Sequence, residues 1–106
     1  MSGSRQTTKP TYKVEVEEEA WEGLSSLPES QQEKVLTLWR DHLGHHPTQR
    51  IPGKLKRLKG EYHDFFQYDI SQSQRMIYSV DEESRTVYVE YIGKHPDWKR
   101  HQSRAW

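Results

Sequence analysis

Cysteine is absent from all 106 residues, which removes both disulfides and thiolate metal sites from consideration. No apolar run approaches the roughly 18 residues that a membrane-spanning helix needs, and no signal-peptide pattern opens the chain. A soluble, cytoplasmic protein with no membrane partner is the expectation. Apolar residues are scarce as well, at 31% of the chain with a mean hydropathy of −1.15, a composition that leans toward disorder. Size offsets the scarcity. Four Trp, six Tyr and two Phe supply large buried areas from few positions, enough for one modest core in a single domain.

An excess of either charge is also missing, since 16 Lys and Arg balance 16 Asp and Glu. The balance hides an asymmetry. Residues 1–49 carry five cations and eight carboxylates, whereas residues 50–106 carry eleven and eight. A basic C-terminal half is directed at an anionic partner, unless its charges only solvate the surface.

Residues 1–10 are small and polar and read as a disordered lead-in; 11–100 read as the domain, and 101–106 as a basic, flexible tail. Within the domain, Tyr12, Val14 and Val16 alternate with Lys13 and Glu15 and predict a first strand. The acidic run Glu17-Glu18-Glu19 then opens a short helix, where it complements the helix dipole, and Trp21, Leu24 and Leu27 form its apolar stripe. Ser30 and Glu33 stand in capping-box relation ahead of a second helix marked by Val35, Leu38, Trp39 and Leu43 and stopped at Gly44. His42, His45 and His46 cluster at its end. With no carboxylate at ligand spacing they are read as histidines favoured by a helix C-terminus, and no metal or cofactor is assigned.

The segment Lys54-Leu55-Lys56-Arg57-Leu58-Lys59-Gly60 packs four cations around two leucines. It is either a polyanion-binding patch or a solvated loop. Residues 62–70 are aromatic and strand-like, with Phe66, Tyr68 and Ile70 on one face and His63, Phe65, Gln67 and Asp69 on the other. Two further runs follow across an acidic turn at 81–84. Met76, Tyr78 and Val80 alternate with Arg75, Ile77 and Ser79; Val87, Val89 and Tyr91 alternate with Thr86, Tyr88 and Glu90. This is a hairpin pattern. The order is β-α-α-β-β-β, an α+β fold in which an antiparallel meander carries a helical pair on one face. The first strand joins the meander at an edge or between neighbours, and the second sheet face is left to solvent or a ligand. Parity places Arg75 on that open face, where it is a candidate anion ligand or a partner of Asp69 or Asp81. His95 follows the last strand. Counted straight on from Val87 it falls on the helix-covered face, and only a break at Gly93 carries it to the side of Arg75.

In that order these segments resemble the RelE/ParE superfamily of type II toxins. The likeness runs from Tyr12 to Arg100 and rests on the first strand and helical pair, Lys54–Gly60, the Arg-x-Ile-Tyr-x-Val strand of residues 75–80, and Val87–His95. The Phe65-Phe66 strand, its spacing to Arg75 and the terminal histidine look closest to YoeB- and HigB-like mRNA interferases. The resemblance implies a metal-independent endoribonuclease that cleaves mRNA on the ribosome and is neutralised by a cognate antitoxin in a hetero-oligomer. In that chemistry a ribose 2′-OH attacks the adjacent phosphate, with a base, a cation for charge on phosphorus, and an acid for the leaving oxygen. The resemblance assigns the cation to Arg75, whose planar fork suits two phosphate oxygens, and the acid to His95. It leaves the base open. The family's glutamate position falls near Lys56, and the strand positions where RelE-like members carry lysine read His63 and Phe65, so Lys56 and His63 are the candidates. Lys54, Arg57, Lys59 and Lys94 would hold RNA backbone, and Trp98, in place of a family tyrosine, would stack a base or pack the tail onto the sheet. The alternatives are a ParE-like inhibitor of DNA gyrase and a catalytically silent module that binds its antitoxin.

Overall fold

The computed structural model describes residues 11–94. The lead-in and tail expectations, and those on His95 and Trp98, lie outside the described residues. Strand β1 (Lys13–Val16) leads into helices α1 (Glu18–Ser25) and α2 (Glu29–Leu38), and strands β2 (Leu55–Arg57), β3 (Phe65–Asp69), β4 (Gln74–Asp81) and β5 (Thr86–Lys94) follow. They form one five-stranded sheet in the order β1-β5-β4-β3-β2. The α+β class and the C-terminal meander hold: β3, β4 and β5 pair antiparallel in sequence. The first strand takes an edge, running parallel to β5 with Val14 beside Val87.

One strand is additional to the expected order. β2 lies inside the basic segment and pairs antiparallel with β3, Leu55 opposite Tyr68 and Lys56 opposite Gln67. Leu55 is buried while Lys56 and Arg57 are exposed, as befits a short, charged edge strand.

The core lies between the helices and one sheet face. Ala20, Leu24, Leu27, Val35, Leu38 and Leu43 meet Phe66, Tyr68, Met76, Tyr78, Val87, Val89 and Ile92. Phe66 stacks on Tyr78 with ring centroids 5.3 Å apart. The Tyr78 hydroxyl, fully buried, donates to the Pro47 carbonyl at 2.6 Å, and burial pushes its ionisation far above the ordinary 10.0. Gly23 brings α1 onto β5: a Cβ built there would stand 1.9 Å from the Ile92 carbonyl oxygen. Only a residue without a side chain permits that approach.

The helix signals are partly replaced. α2 starts at Glu29 behind Pro28, which sits at the N-cap with φ −58° and ψ 151° and makes no side-chain cap bond. The Ser30–Glu33 capping box therefore does not form, because proline fixes the entry two residues earlier. At its far end α2 passes into a π-helical turn, Trp39–Leu43. That turn sets Trp39 edge-on to Trp21 at 5.7 Å and lets its indole N–H donate to Met76 Sδ at 3.1 Å.

Candidate functional site

The face away from the helices holds Arg75 and Lys56, and it is less bare than expected. Phe65 and Ile77 are buried there, with Leu58, Tyr62 and Tyr91 packed against them. Around this apolar patch the strand register builds two polar rows. One runs Lys56, Gln67, Ile77, Tyr91 across β2 to β5, and the next runs Asp69, Arg75, Gly93 across β3 to β5.

The second row exists because β5 changes phase. Ile77 pairs with Tyr91, but Tyr78 pairs with Val89, so Glu90 is an extra residue in the ladder. Such a bulge inverts the alternation beyond it. Val87, Val89 and Ile92 all face the core, and Tyr91 and Gly93 face the opposite side with Arg75. The grouping of Tyr91 with Val87 and Val89 is thereby corrected. The break in the strand also falls at Glu90, three residues before Gly93, so the parity count that sent position 95 to the helix-covered face loses its premise. Tyr91 lies over Gly93, where an added Cβ would stand 2.5 Å from its hydroxyl oxygen, and that hydroxyl donates to the Lys94 carbonyl at 3.0 Å.

Arg75 closes the β3–β4 turn. Its Nη1 reaches the carbonyls of Ser71 (2.8 Å), Gln72 (3.0 Å) and Gln74 (3.2 Å). Its Nε stands 3.0 Å from Asp69 Oδ1 as an ion pair, although off the N–H axis, so no directed hydrogen bond forms. Asp69 Oδ1 also accepts from Gln67 Nε2 at 3.0 Å. The Asp69 partnership thus occurs alongside the open-face placement. With Nη1 bonded to carbonyls and Nε in the Asp69 ion pair, Nη2 is the guanidinium nitrogen with neither kind of partner among the described residues. Beside Asp69, the Tyr68 phenol ionises above its ordinary value because of burial and, secondarily, the Asp69 charge.

The other cations divide between faces. Lys56 stands on the open face one row from Arg75. Arg57 points to the opposite side, 5.6 Å above the Phe66 ring, with its Nε donating to the His63 carbonyl at 2.6 Å. Lys59 and Lys94 are exposed, the first just before a 3₁₀ turn at Gly60–Tyr62 and the second at the end of β5. His63 follows that turn and not β3, because Gly60 at φ +68° breaks the extended run. Its Nδ1 lies 3.0 Å from the Gly60 carbonyl and its Nε2 3.2 Å from Asp64 Oδ1. With both ring nitrogens facing oxygen acceptors, no lone pair is aimed at a substrate.

A cleft of about 580 Å³ opens beside this row, between α2 and the β3–β4 turn, lined among others by Gln31, Lys34, Lys54, Asp69 and Arg75. Lys34 and Gln31 escaped sequence reasoning because they sit on a helix face whose neighbours only the tertiary fold supplies.

No family model matches the chain, and no curated protein does. Solved structures do. The RelE–RelB complex from Pyrococcus horikoshii aligns with a TM-score of 0.65 at 24% identity, over 79% of this chain and 94% of that one. The YoeB/ParE toxin from Agrobacterium tumefaciens gives 0.67 at 21%, over 78% and 98%. The RelBE2 toxin–antitoxin complex from Mycobacterium tuberculosis gives 0.63 at 23%, over 81% and 99%. The chain has the fold of the RelE- and YoeB-type toxins.

Proposed function

We propose that this protein is the toxin of a type II toxin–antitoxin pair, a cytoplasmic, metal-independent endoribonuclease that cuts mRNA on the ribosome and is held inactive by a cognate antitoxin. The fold supports the toxin reading. The observation that carries the nuclease reading is the bulge at Glu90, which turns the end of β5 onto the face where Arg75 stands opposite Gly93. Arg75 Nη2 takes a non-bridging oxygen of the scissile phosphate and stabilises charge as the 2′-oxygen attacks. Lys56, on the same face, supplies a second cation, or the base for the 2′-OH. His95 protonates the leaving 5′-oxygen. His63 is the weaker base, its ring nitrogens being directed to Gly60 and Asp64.

The test is translation in vitro with ribosomes, mapping mRNA ends by primer extension for wild type, Arg75→Ala and His95→Ala together. Each variant is expected to lose cleavage by about two to three orders of magnitude, as removal of one transition-state donor does. Full cleavage by both variants sinks the site. One observation favours a silent or ParE-like binder: most of the Arg75 fork is engaged by the turn carbonyls and Asp69. A wild type that leaves mRNA intact but poisons gyrase would establish that reading.

A further inference from the structure

We propose that the cleft between α2 and the β3–β4 turn is a second phosphate subsite, holding the RNA backbone phosphate next to the one at Arg75; the proposal rests on the ribonuclease reading above. Three cations from three separate elements line it: Lys34 from α2, Lys54 from the segment entering β2, and Arg75 from β4. Asp69 is the one carboxylate on its wall, and that carboxylate is engaged by Arg75 and by Gln67. The cleft therefore carries a net positive charge in a concave setting, where a phosphate is held better than on a flat surface.

The donors have capacity to spare. Lys34 Nζ gives one bond to the Ile70 carbonyl at 2.9 Å, which anchors it over the cleft and leaves two of its three hydrogens. The Lys54 ammonium has no hydrogen-bond partner among the described residues, while its backbone is fixed by Asp69 N–H donating to its carbonyl at 2.8 Å. Gln31 supplies the complementary group. Its Oε1 is buried without a partner, an acceptor that a carboxylate or bare phosphate leaves empty and a ribose hydroxyl fills. A backbone N–H of an acidic protein segment would fill it equally, so the ribonucleotide is preferred because the cleft shares Arg75 with the open face. Arg75 is common to the cleft and the open face, so a strand whose phosphate meets Nη2 passes directly into the cleft with its neighbour.

Two probes test this on the full chain. Inorganic phosphate, followed by backbone amide shifts, is expected to perturb Lys34, Lys54 and Ser71. A labelled hexauridylate RNA, followed by anisotropy across a salt series, is expected to bind Lys34→Gln three- to tenfold more weakly than wild type. The slope of log affinity against log salt should fall by about 0.7, the single-strand value for one phosphate contact. Glutamine keeps a donor for the Ile70 carbonyl, so the fold is preserved and only the charge is lost. Unchanged RNA affinity and slope in Lys34→Gln, with no phosphate shifts at the cleft, overturns the subsite while leaving ribosomal cleavage by wild type intact. Shifts produced by a polyglutamate peptide and not by phosphate overturn it in favour of a protein partner. Absence of cleavage by wild type with the phosphate shifts present removes the nuclease reading instead.

Discussion

Replacing Gly23 with alanine sets two well-measured effects against each other. In a helix interior alanine is favoured over glycine by about 1 kcal/mol, so a reading from helix propensity alone has Gly23→Ala stabilising. The packing predicts the reverse. The new Cβ would lie 1.9 Å from the Ile92 carbonyl oxygen and 2.8 Å from its carbon, against an ordinary contact near 3.4 Å. Both atoms are backbone in a paired strand and have no rotamer to escape into, so α1 must retreat by about 1.5 Å (3.4 less 1.9). A gap of 0.5–1 Å already forfeits a quarter to a half of a dispersion well, and Ala20 and Leu24 are the buried residues of α1 that make those contacts. Overpacking costs about 1–3 kcal/mol, and a clash with backbone that cannot yield falls in the upper half of that range, about 2–3 kcal/mol, of which the helix gain offsets about 1. The expected outcome is a net loss of about 1–2 kcal/mol, or roughly 4–8 °C in Tm for each kcal/mol in a domain of this size. Urea and thermal unfolding followed by tryptophan fluorescence give the number, with Ser25→Ala as an exposed control on the same helix. A Gly23→Ala protein as stable as wild type, or more so, refutes the seating of α1 on β5. The site is coupled to it, since Ile92 separates Tyr91 from the Gly93 that faces Arg75.

Tyr78→Phe removes the 2.6 Å bond to the buried Pro47 carbonyl and should cost about 1–3 kcal/mol near neutral pH, read from urea midpoints. It should also flatten the alkaline limb of the stability profile. Burial holds the folded-state ionisation of Tyr78 above its unfolded value of 10.0, so its contribution is complete below that pH and declines as pH rises above it, by up to about 1.4 kcal/mol per pH unit. The bulge can be read directly, because the chain contains no cysteine to interfere. Single cysteines at Val89, Tyr91, Ile92 and Gly93 should react with a water-soluble disulfide reagent quickly at 91 and 93 and slowly at 89 and 92. Protection at 91 and 93 with reactivity at 92 would mean an uninterrupted strand, and His95→Cys in the same series reports the phase at that position.

The legible parts of the fold were those in which local pattern and tertiary demand agree. The alternation of Met76, Tyr78 and Val80 needs no partner to be seen, and those side chains do face the helices. What escaped was set by pairing. β2 is only three residues long, and Leu55 within it and Leu58 just beyond it lack period-two spacing. It is a strand because β3 offers an unpaired edge with Tyr68 beside Leu55. The bulge leaves still less trace. Val87, Val89 and Tyr91 alternate without fault, and the decision to fold Glu90 out of the ladder is made by packing Ile92 under α1 while Tyr91 joins Phe65 and Ile77. At the site, sequence parity placed Arg75 on the correct face but could not reveal the turn carbonyls that occupy it, since backbone acceptors carry no residue signature.

Those carbonyls bear on how Arg75 can act. An arginine free on a surface loses side-chain entropy when it grips a phosphate. Here Nη1 is fixed by three carbonyls and Nε is held beside Asp69, so that loss is incurred on folding and Nη2 is presented already oriented. The cost is reduced charge, because Asp69 neutralises much of the field that a lone guanidinium would project. Under the proposed function such a site would draw on neighbouring cations, and Lys56 lies on the open face while Lys34 and Lys54 line the cleft. The same reasoning separates the two roles of the ion pair. If Asp69 serves only to hold Arg75, Asp69→Asn keeps an acceptor for Gln67, strengthens the positive field and tightens phosphate binding; if the carboxylate itself takes part in proton transfer, the variant binds more tightly and cleaves more slowly.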